Sequence, residues 1–327
     1  MKICIVKLSA MGDIIHAMVA LQFIKKALPT VRIDWVVEEA FKGVLENNPD
    51  IDNVLCVNLK SLKKKKSALF SQYRLLKSYA KNNYDVIIDA QGLLKSALVA
   101  KIIGAKEIVG FDKASIREGI ASLFYTKRVS IAYTANTIDR NVRVLCEPLG
   151  IEVSPQEIIN KKPFLVSKCV VEALPERFLL LVIGSTWESR NYPKEKFVAV
   201  VEALGMKALV VWGSEEEHRK ALWMQKQSAF IEVLPKGSLD ALKYVISRCA
   251  LLIGNDTGPT HMAWALNVPS ITLFGPTPIN RVYVTPINKV VKSKSSVNPL
   301  KLNKQDFSIR EIEAEEIVKV AKALLLS

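Results

Sequence analysis

Short apolar, β-branched runs alternate with amphipathic stretches along almost the whole chain, and few folds can satisfy that alternation. Strands joined through helices must lie parallel, because a crossover of a dozen or more residues returns the chain to the same end of the sheet. A parallel sheet is covered by helices on both faces, so its strands read as continuous apolar runs. The run at 2–8 (KICIVKL) and the helical pattern at about 14–28 begin the series. Strands are then expected at 32–37, 54–57, 85–89 and 108–111, with helices near 62–81, 93–103 and 137–149. The rhythm pauses over 150–167, which holds Pro155, Pro163 and the Lys161-Lys162 pair, and restarts with FLLLVI at 178–183. We expect strands at 208–212, 231–234, 251–253 and 271–274 after that, with helices from about 216 and over 238–248. The expectation is two doubly wound α/β domains, residues 1–165 and 166–327, a division suited to a chain of 327 residues. Ser308 and Glu311 have capping-box spacing, and Ile309, Ile312, Val320 and Leu324 have helical spacing, which predicts a final helix over about 308–326 that could pack back on the first domain.

Charge narrows the function. The net charge is +14, and Lys and Arg outnumber Asp and Glu by 9 in residues 1–165 but by 5 in 166–327. No acid lies between Asp52 and Asp85, whereas Lys60, Lys63, Lys64, Lys65, Lys66, Arg74, Lys77 and Lys81 all do. Such a field suits a polyanion, whether nucleic acid, an anionic membrane surface or a phosphorylated substrate, and equally suits a solvated face. The same stretch has only Phe70, Tyr73 and Tyr79 as aromatics, too few for the stacking that holds single-stranded nucleic acid, so no nucleic-acid partner is expected. No apolar run nears the roughly 20 residues that span a bilayer, and Lys7 interrupts the first apolar stretch, so neither a membrane span nor a signal peptide is expected. A reducing cytoplasm follows as the expected compartment. The five cysteines and three histidines show no metal-ligand spacing, so no metal is expected.

In a doubly wound sheet ligands bind outside the carboxyl ends of the strands, which directs attention to the loops there. Ser9-Ala10-Met11-Gly12-Asp13 follows the first strand, and Asp13 reads as a helix N-cap or as a general base. The loop is not GxGxxG, which disfavours a nicotinamide dinucleotide. Gly254-Asn255-Asp256-Thr257-Gly258-Pro259-Thr260-His261 offers backbone N–H groups at a helix start, as a diphosphate requires. The segment 184–193 adds the hydroxyls of Ser185 and Thr186 and the cation Arg190, where a phosphate could be clamped. Trp212-Gly213-Ser214 precedes Glu215, Glu216 and Glu217, which read as helix capping or as acceptors for a ribose.

Taken in order, KLSAMGDIIH, RIDWVVEEAF, YDVIIDAQGLLKSALVAKIIGA, GFDKASIREGIASLFY and LIGNDTGPTHMAWAL with ITLFGPT resemble the bacterial lipopolysaccharide heptosyltransferases over nearly the whole chain, most closely their type I members. The resemblance implies a GT-B architecture, two Rossmann-like domains facing a central cleft, with inverting transfer of heptose from ADP-heptose to the 3-deoxy-octulosonate (Kdo) sugar of Kdo-lipid A. It also implies no metal and no cofactor beyond the substrates. It puts the proposed base on Asp13 beside Gly12, and donor contacts on Arg190, Asp256, Thr257, Gly258, His261 and Glu217, with Glu215 or Glu216 in place of Glu217 if the alignment is gapped; the hydroxyls of Ser185 and Thr186 join them as donor contacts from the reading of their loop. Arg190 stands where the family carries Lys, which keeps the charge and changes its geometry. Lys60, Lys63, Lys64, Arg117, Arg140 and Arg143 are candidates for the anionic acceptor, and the basic stretch 60–81 for peripheral attachment to the cytoplasmic leaflet of the inner membrane. Heptosyltransferase II, a nucleotide-sugar epimerase of the same architecture and a non-catalytic polyanion-binding protein are the alternatives.

Overall fold

The structure is a computed structural model and describes residues 1–63 and 68–326. It divides into two compact units, Met1–Phe164 and the chain from Leu165 onward. In the first unit, strands β1 (Lys2–Val6), β2 (Arg32–Glu38), β3 (Asn53–Val57), β4 (Tyr84–Asp89), β5 (Ala105–Phe111) and β6 (Lys127–Val129) form one sheet in the order β3-β2-β1-β4-β5-β6. Every pairing is parallel, with Ile3 opposite Ile33 on one side and Val86 on the other. Ile3, Cys4, Ile5 and Val6 are fully buried, as expected of a central strand sandwiched between helix layers. Each large aliphatic side chain so placed contributes about 1.5–3 kcal/mol.

The second unit repeats the plan with β7 (Leu179–Val182), β8 (Ala208–Val211), β9 (Ile231–Val233), β10 (Leu251–Asn255), β11 (Ser270–Phe274) and β12 (Asn288–Lys292) in the order β12-β11-β10-β7-β8-β9. Its pairings are parallel too, with Leu180 opposite Leu252 and Leu209. In each unit the strand order reverses once, between β1 and β4 and between β7 and β10. Loops leaving two adjacent strands in opposite directions open a crevice at such a point.

Two local expectations are corrected. The helix expected over 14–28 is two, Met11–Met18 and Ala20–Ala27, joined at Val19, whose dihedrals stay helical. Ser308 and Glu311 do not cap the last helix. They begin and end a 3-10 turn, and the chain is extended at Ile312, so the helix starts at Ala314 with Glu313 and Glu316 as its reciprocal cap. The reason is packing, since Ile309 and Ile312 are drawn into the core, and a side chain on Gly275 would collide with Ile309. That helix, Ala314–Leu325, places Ile317, Ala321 and Leu324 in the second unit's core, packed on helix Lys194–Leu204. The short edge strands β6 and β12 escape periodicity because both are rich in Lys and Arg or Asn.

Candidate active site

At the switch point of the second unit the loops after β7 and β10 are stitched together by one side chain. Asn255, the last residue of β10, donates from Nδ2 to the Ile183 carbonyl (2.8 Å) and accepts from the Tyr192 N–H at Oδ1 (3.0 Å). Next to it Asp256 is 2% exposed and gathers three partners. Oδ2 accepts from Arg190 Nη2 (3.0 Å) and from Thr277 Oγ1 (2.9 Å), while Oδ1 lies 3.1 Å from His261 Nε2. Burial alone would raise this carboxyl. The His261 hydrogen bond and the charges of Arg190 and Arg281 outweigh it and hold Asp256 well below the usual carboxylate range. Asp256 is thus a buried anion that fixes a cation, an imidazole and a hydroxyl at one strand end.

Thr257 and Gly258 begin helix Gly258–Ala265, whose first turn has backbone N–H groups without intrahelical acceptors. The hydroxyl of Ser189 is almost fully buried, and neither it nor that of Ser185 has a hydrogen-bond partner among the described residues. Thr186, the other predicted hydroxyl, is exposed. The Arg190 guanidinium lies 5.5 Å from the Trp187 ring centre, and Lys304 covers the same ring at 4.9 Å. A cation, two unsatisfied hydroxyls and a helix start make a setting for a phosphorylated ligand.

Glu217 is distinguished from its two acidic neighbours. Glu216 pairs with Lys220 (3.0 Å) and Glu215 lies 4.0 Å from His218, both along the helix Glu215–Gln227. Glu217 instead accepts the Gly213 N–H (2.6 Å) and lies against Gly184, where any side chain would occupy the place of its carboxylate. It therefore stands over the ends of β7 and β8. Beside it Trp212 and His218 stack at 4.0 Å between ring centres.

The first unit's switch point is sparser. Asp13 occupies the first turn of helix Met11–Met18, where Oδ2 accepts the Ala10 N–H at 3.3 Å, and it is half-buried next to Gly12. Gln91, from the loop after β4, accepts the N–H groups of Leu8 and Ser9 (3.1 Å each) and so fastens the two loops together. Lys7 is buried and donates to the Ala90 carbonyl (2.8 Å). Burial pushes its ammonium below the ordinary lysine value, Asp13 and Asp89 pull the other way, and Arg140 adds to the depression. Asp89 is raised by burial against the hydrogen bond it accepts from Tyr125 (2.8 Å).

The basic candidates scatter. Arg140 donates to the carbonyls of Ser115 (2.6 Å) and Ala132 (3.0 Å) between the rings of Phe111 and Tyr133, so it shares the Lys7 neighbourhood but holds a loop. Arg143 pairs with Glu147 (2.6 Å) and lines a cavity of about 560 Å³ with Ile131, Cys146 and Ile151. Arg117 is exposed, and Lys60 is exposed 5.3 Å from the Phe41 ring. Lys63 closes the 3-10 turn Leu59–Lys63, and Lys64 lies outside the described residues. Sequence reasoning missed Thr277, Arg281, Ser189, Asn255 and Lys7 as parts of the sites. Thr277 was visible only as the last residue of ITLFGPT, and buried Lys7 only as an interruption of an apolar run. Among the described residues no three of His, Cys, Asp and Glu cluster as a metal's ligand set, and no helix is long and apolar enough to cross a membrane.

Two doubly wound units, each with a polar switch point, define a glycosyltransferase architecture of GT-B type. The chain belongs to glycosyltransferase family 9 (heptosyltransferase), whose profile matches residues 72–310. It is an enzyme of lipopolysaccharide biosynthesis, a heptosyltransferase. It is 37% identical to lipopolysaccharide heptosyltransferase 1 of Campylobacter coli, with 99% of each chain covered, and 29% identical to that of Escherichia coli K12, covering 93% of this chain and 97% of the relative. Among solved structures it is similar to the E. coli heptosyltransferase WaaC with ADP-2-deoxy-2-fluoro heptose, at TM-score 0.81 and 25% identity, covering 98% of this chain and 99% of that one.

Proposed function

We propose that the protein is a type I enzyme that transfers heptose from ADP-L-glycero-D-manno-heptose, with inversion, to the Kdo residue of Kdo-lipid A. The observation that carries the reading is the Asp256 cluster, which presents Arg190 and His261 at a helix start beside two unsatisfied hydroxyls. The donor is assigned to the second unit, with Ser185, Thr186, Arg190, Thr257, Gly258 and His261 around the diphosphate and Glu217 on the ribose. The ADP-2-deoxy-2-fluoro heptose in the similar WaaC structure supports the identity of this donor. Asp256 is assigned to organise these groups and Asp13, beside Gly12, to accept the proton of the attacking Kdo hydroxyl. The acceptor's anionic groups are assigned to the first unit, with Lys60, Lys63, Lys64, Arg117, Arg140 and Arg143 as candidates.

The chemistry asks for one base and one anion site, and each unit supplies one. Breaking the bond from the anomeric carbon to the diphosphate leaves charge on ADP, which fixed N–H groups and Arg190 stabilise without a metal. A glycosidase needs a second carboxyl to protonate its leaving group, whereas a stabilised diphosphate leaves unprotonated. The acceptor is a lipid, so the protein is assigned to the cytoplasmic leaflet of the inner membrane as a peripheral protein. The test is ADP release from ADP-heptose with and without Kdo-lipid A, in the parent and in Asp13→Asn. Release that needs both the acceptor and Asp13 is expected. Release without acceptor would point to an epimerase-like or hydrolytic reaction. Donor binding with turnover only on a heptosylated acceptor would assign the chain to type II.

A further inference from the structure

We propose that the face formed by helix Ala68–Ala80, helix Leu94–Ile103 and the 3-10 segment Gly119–Phe124 seats its apolar side chains in the surface of an anionic lipid bilayer. The inference deepens the peripheral attachment just proposed, and its physical test does not depend on the reaction. The three elements are neighbours in the fold, the first helix packed on the second and the second on the 3-10 segment. Leu69, Phe70 and Tyr73 of the first, Leu94 and Leu98 of the second, and Ile120 and Leu123 of the third are all exposed. Among the described residues of the first unit the only other large exposed apolar side chain is Met1. Single exposed apolar residues need no explanation, but seven confined to three adjoining elements do.

Charge identifies the occupant. The three elements contain no acid and carry Arg74, Lys77, Lys95 and Lys101. Arg74 lies 4.5 Å from the centre of the Phe70 ring and Lys77 lies 5.8 Å from that of Tyr73, so these cations sit beside the rings. This is the arrangement of an interfacial surface, with rings and leucines at acyl depth and cations at the headgroups. The adjacent acid, Glu118, accepts the N–H of Leu94 (2.8 Å) and so caps the second helix. A second copy of the chain would bring the same four cations against themselves, which opposes a dimer through this face. An anionic bilayer satisfies both the apolar and the basic component.

The experiment is cosedimentation with vesicles of phosphatidylcholine mixed with phosphatidylglycerol, against phosphatidylcholine alone. The parent is expected to bind the mixed vesicles. Phe70→Ser with Leu123→Ser should lower partitioning by about tenfold or more at every salt concentration. Arg74→Gln and Lys77→Gln should each lower it about fivefold at low salt and little at high salt. Val170→Ser, which removes an exposed apolar side chain of the second unit, should change nothing. Parental binding by the Phe70→Ser, Leu123→Ser variant would overturn the proposal. So would a parent that ignores vesicles and forms a dimer which that variant dissolves, because the face would then join copies. ADP release with a Kdo acceptor lacking acyl chains separates the two readings: it should be unchanged in the apolar variant. Its absence in the parent would defeat the transfer reading and leave the vesicle result standing.

Discussion

The two switch points share a topology and differ in how their carboxylates are kept. Asp256 is buried, and both its oxygens are engaged by Arg190, Thr277 and His261. Asp13 is half-buried at a helix start, with one long hydrogen bond of 3.3 Å from Ala10. A carboxylate held from all sides is a poor proton acceptor but a firm anchor, while one with open lone pairs can take a proton from a substrate. On the proposed function, the same residue type thus serves as a scaffold in one unit and a reagent in the other, according to its neighbours.

Substitution at each should separate these roles. Asp13→Asn keeps the size and the acceptor oxygen for Ala10 yet removes the basic group, so turnover with Kdo-lipid A should fall about 10²- to 10⁴-fold. ADP affinity and thermal stability should stay near the parent's. Calorimetric titration with ADP beside a turnover assay would check this, and an equal loss of ADP affinity would break the division of labour.

Asp256→Ala should do the reverse by leaving the buried His261 and Thr277 and the partly buried Arg190 without their shared partner. Removing one side of a buried ion pair costs about 3–5 kcal/mol, so denaturant unfolding should show a loss of that order together with lost ADP binding. A variant that unfolds like the parent would mean the cluster is not held by Asp256. Arg190→Lys is milder: the charge remains, but the planar fork that reaches Asp256 at 3.0 Å is gone. ADP affinity should fall about tenfold with little change in stability, again by calorimetry.

How much of this contrast was legible in the sequence follows from the range of the forces involved. Continuous apolar runs such as LLLV of β7 announce a central parallel strand whatever surrounds them, so both sheets were readable. Strand-end loops were readable too, because Gly254, Gly258 and their neighbours are a local signal for an anion site. What stayed hidden depends on contacts distant in sequence. Thr277 meets Asp256 across 21 residues and Asn255 meets Ile183 across 72, and no spacing rule links them. Glu217 could not be told from Glu215 and Glu216 by order alone, and what distinguishes it is the space left by Gly184. The basic candidates of the first unit fared differently: Arg140 and Arg143 read alike as cations on one helix, yet one holds carbonyls and the other an adjacent Glu.

A last pair of buried charges sharpens the lesson. Asp256 is stabilised in its charged form by its neighbours, whereas Lys161, also buried, is governed by desolvation, which pushes its ammonium down to about 8. The Phe164 ring lies 5.8 Å from its ammonium. Below pH 8 the ammonium is charged in both the folded and unfolded chain, so the folded state bears the full burial penalty. Between pH 8 and the ordinary lysine value near 10.5 the unfolded chain holds more protons, so stability rises with pH. Above that both forms are neutral and the penalty is gone. Lys161→Met should therefore stabilise the first unit by about 1–2 kcal/mol at pH 7, and the gain should shrink as pH climbs from 8 to 10.5. Thermal unfolding of the two proteins across that range would check it. A gain that did not change with pH would mean that Met merely packs better there, and that this charge, like that of Asp256, is held by its neighbours.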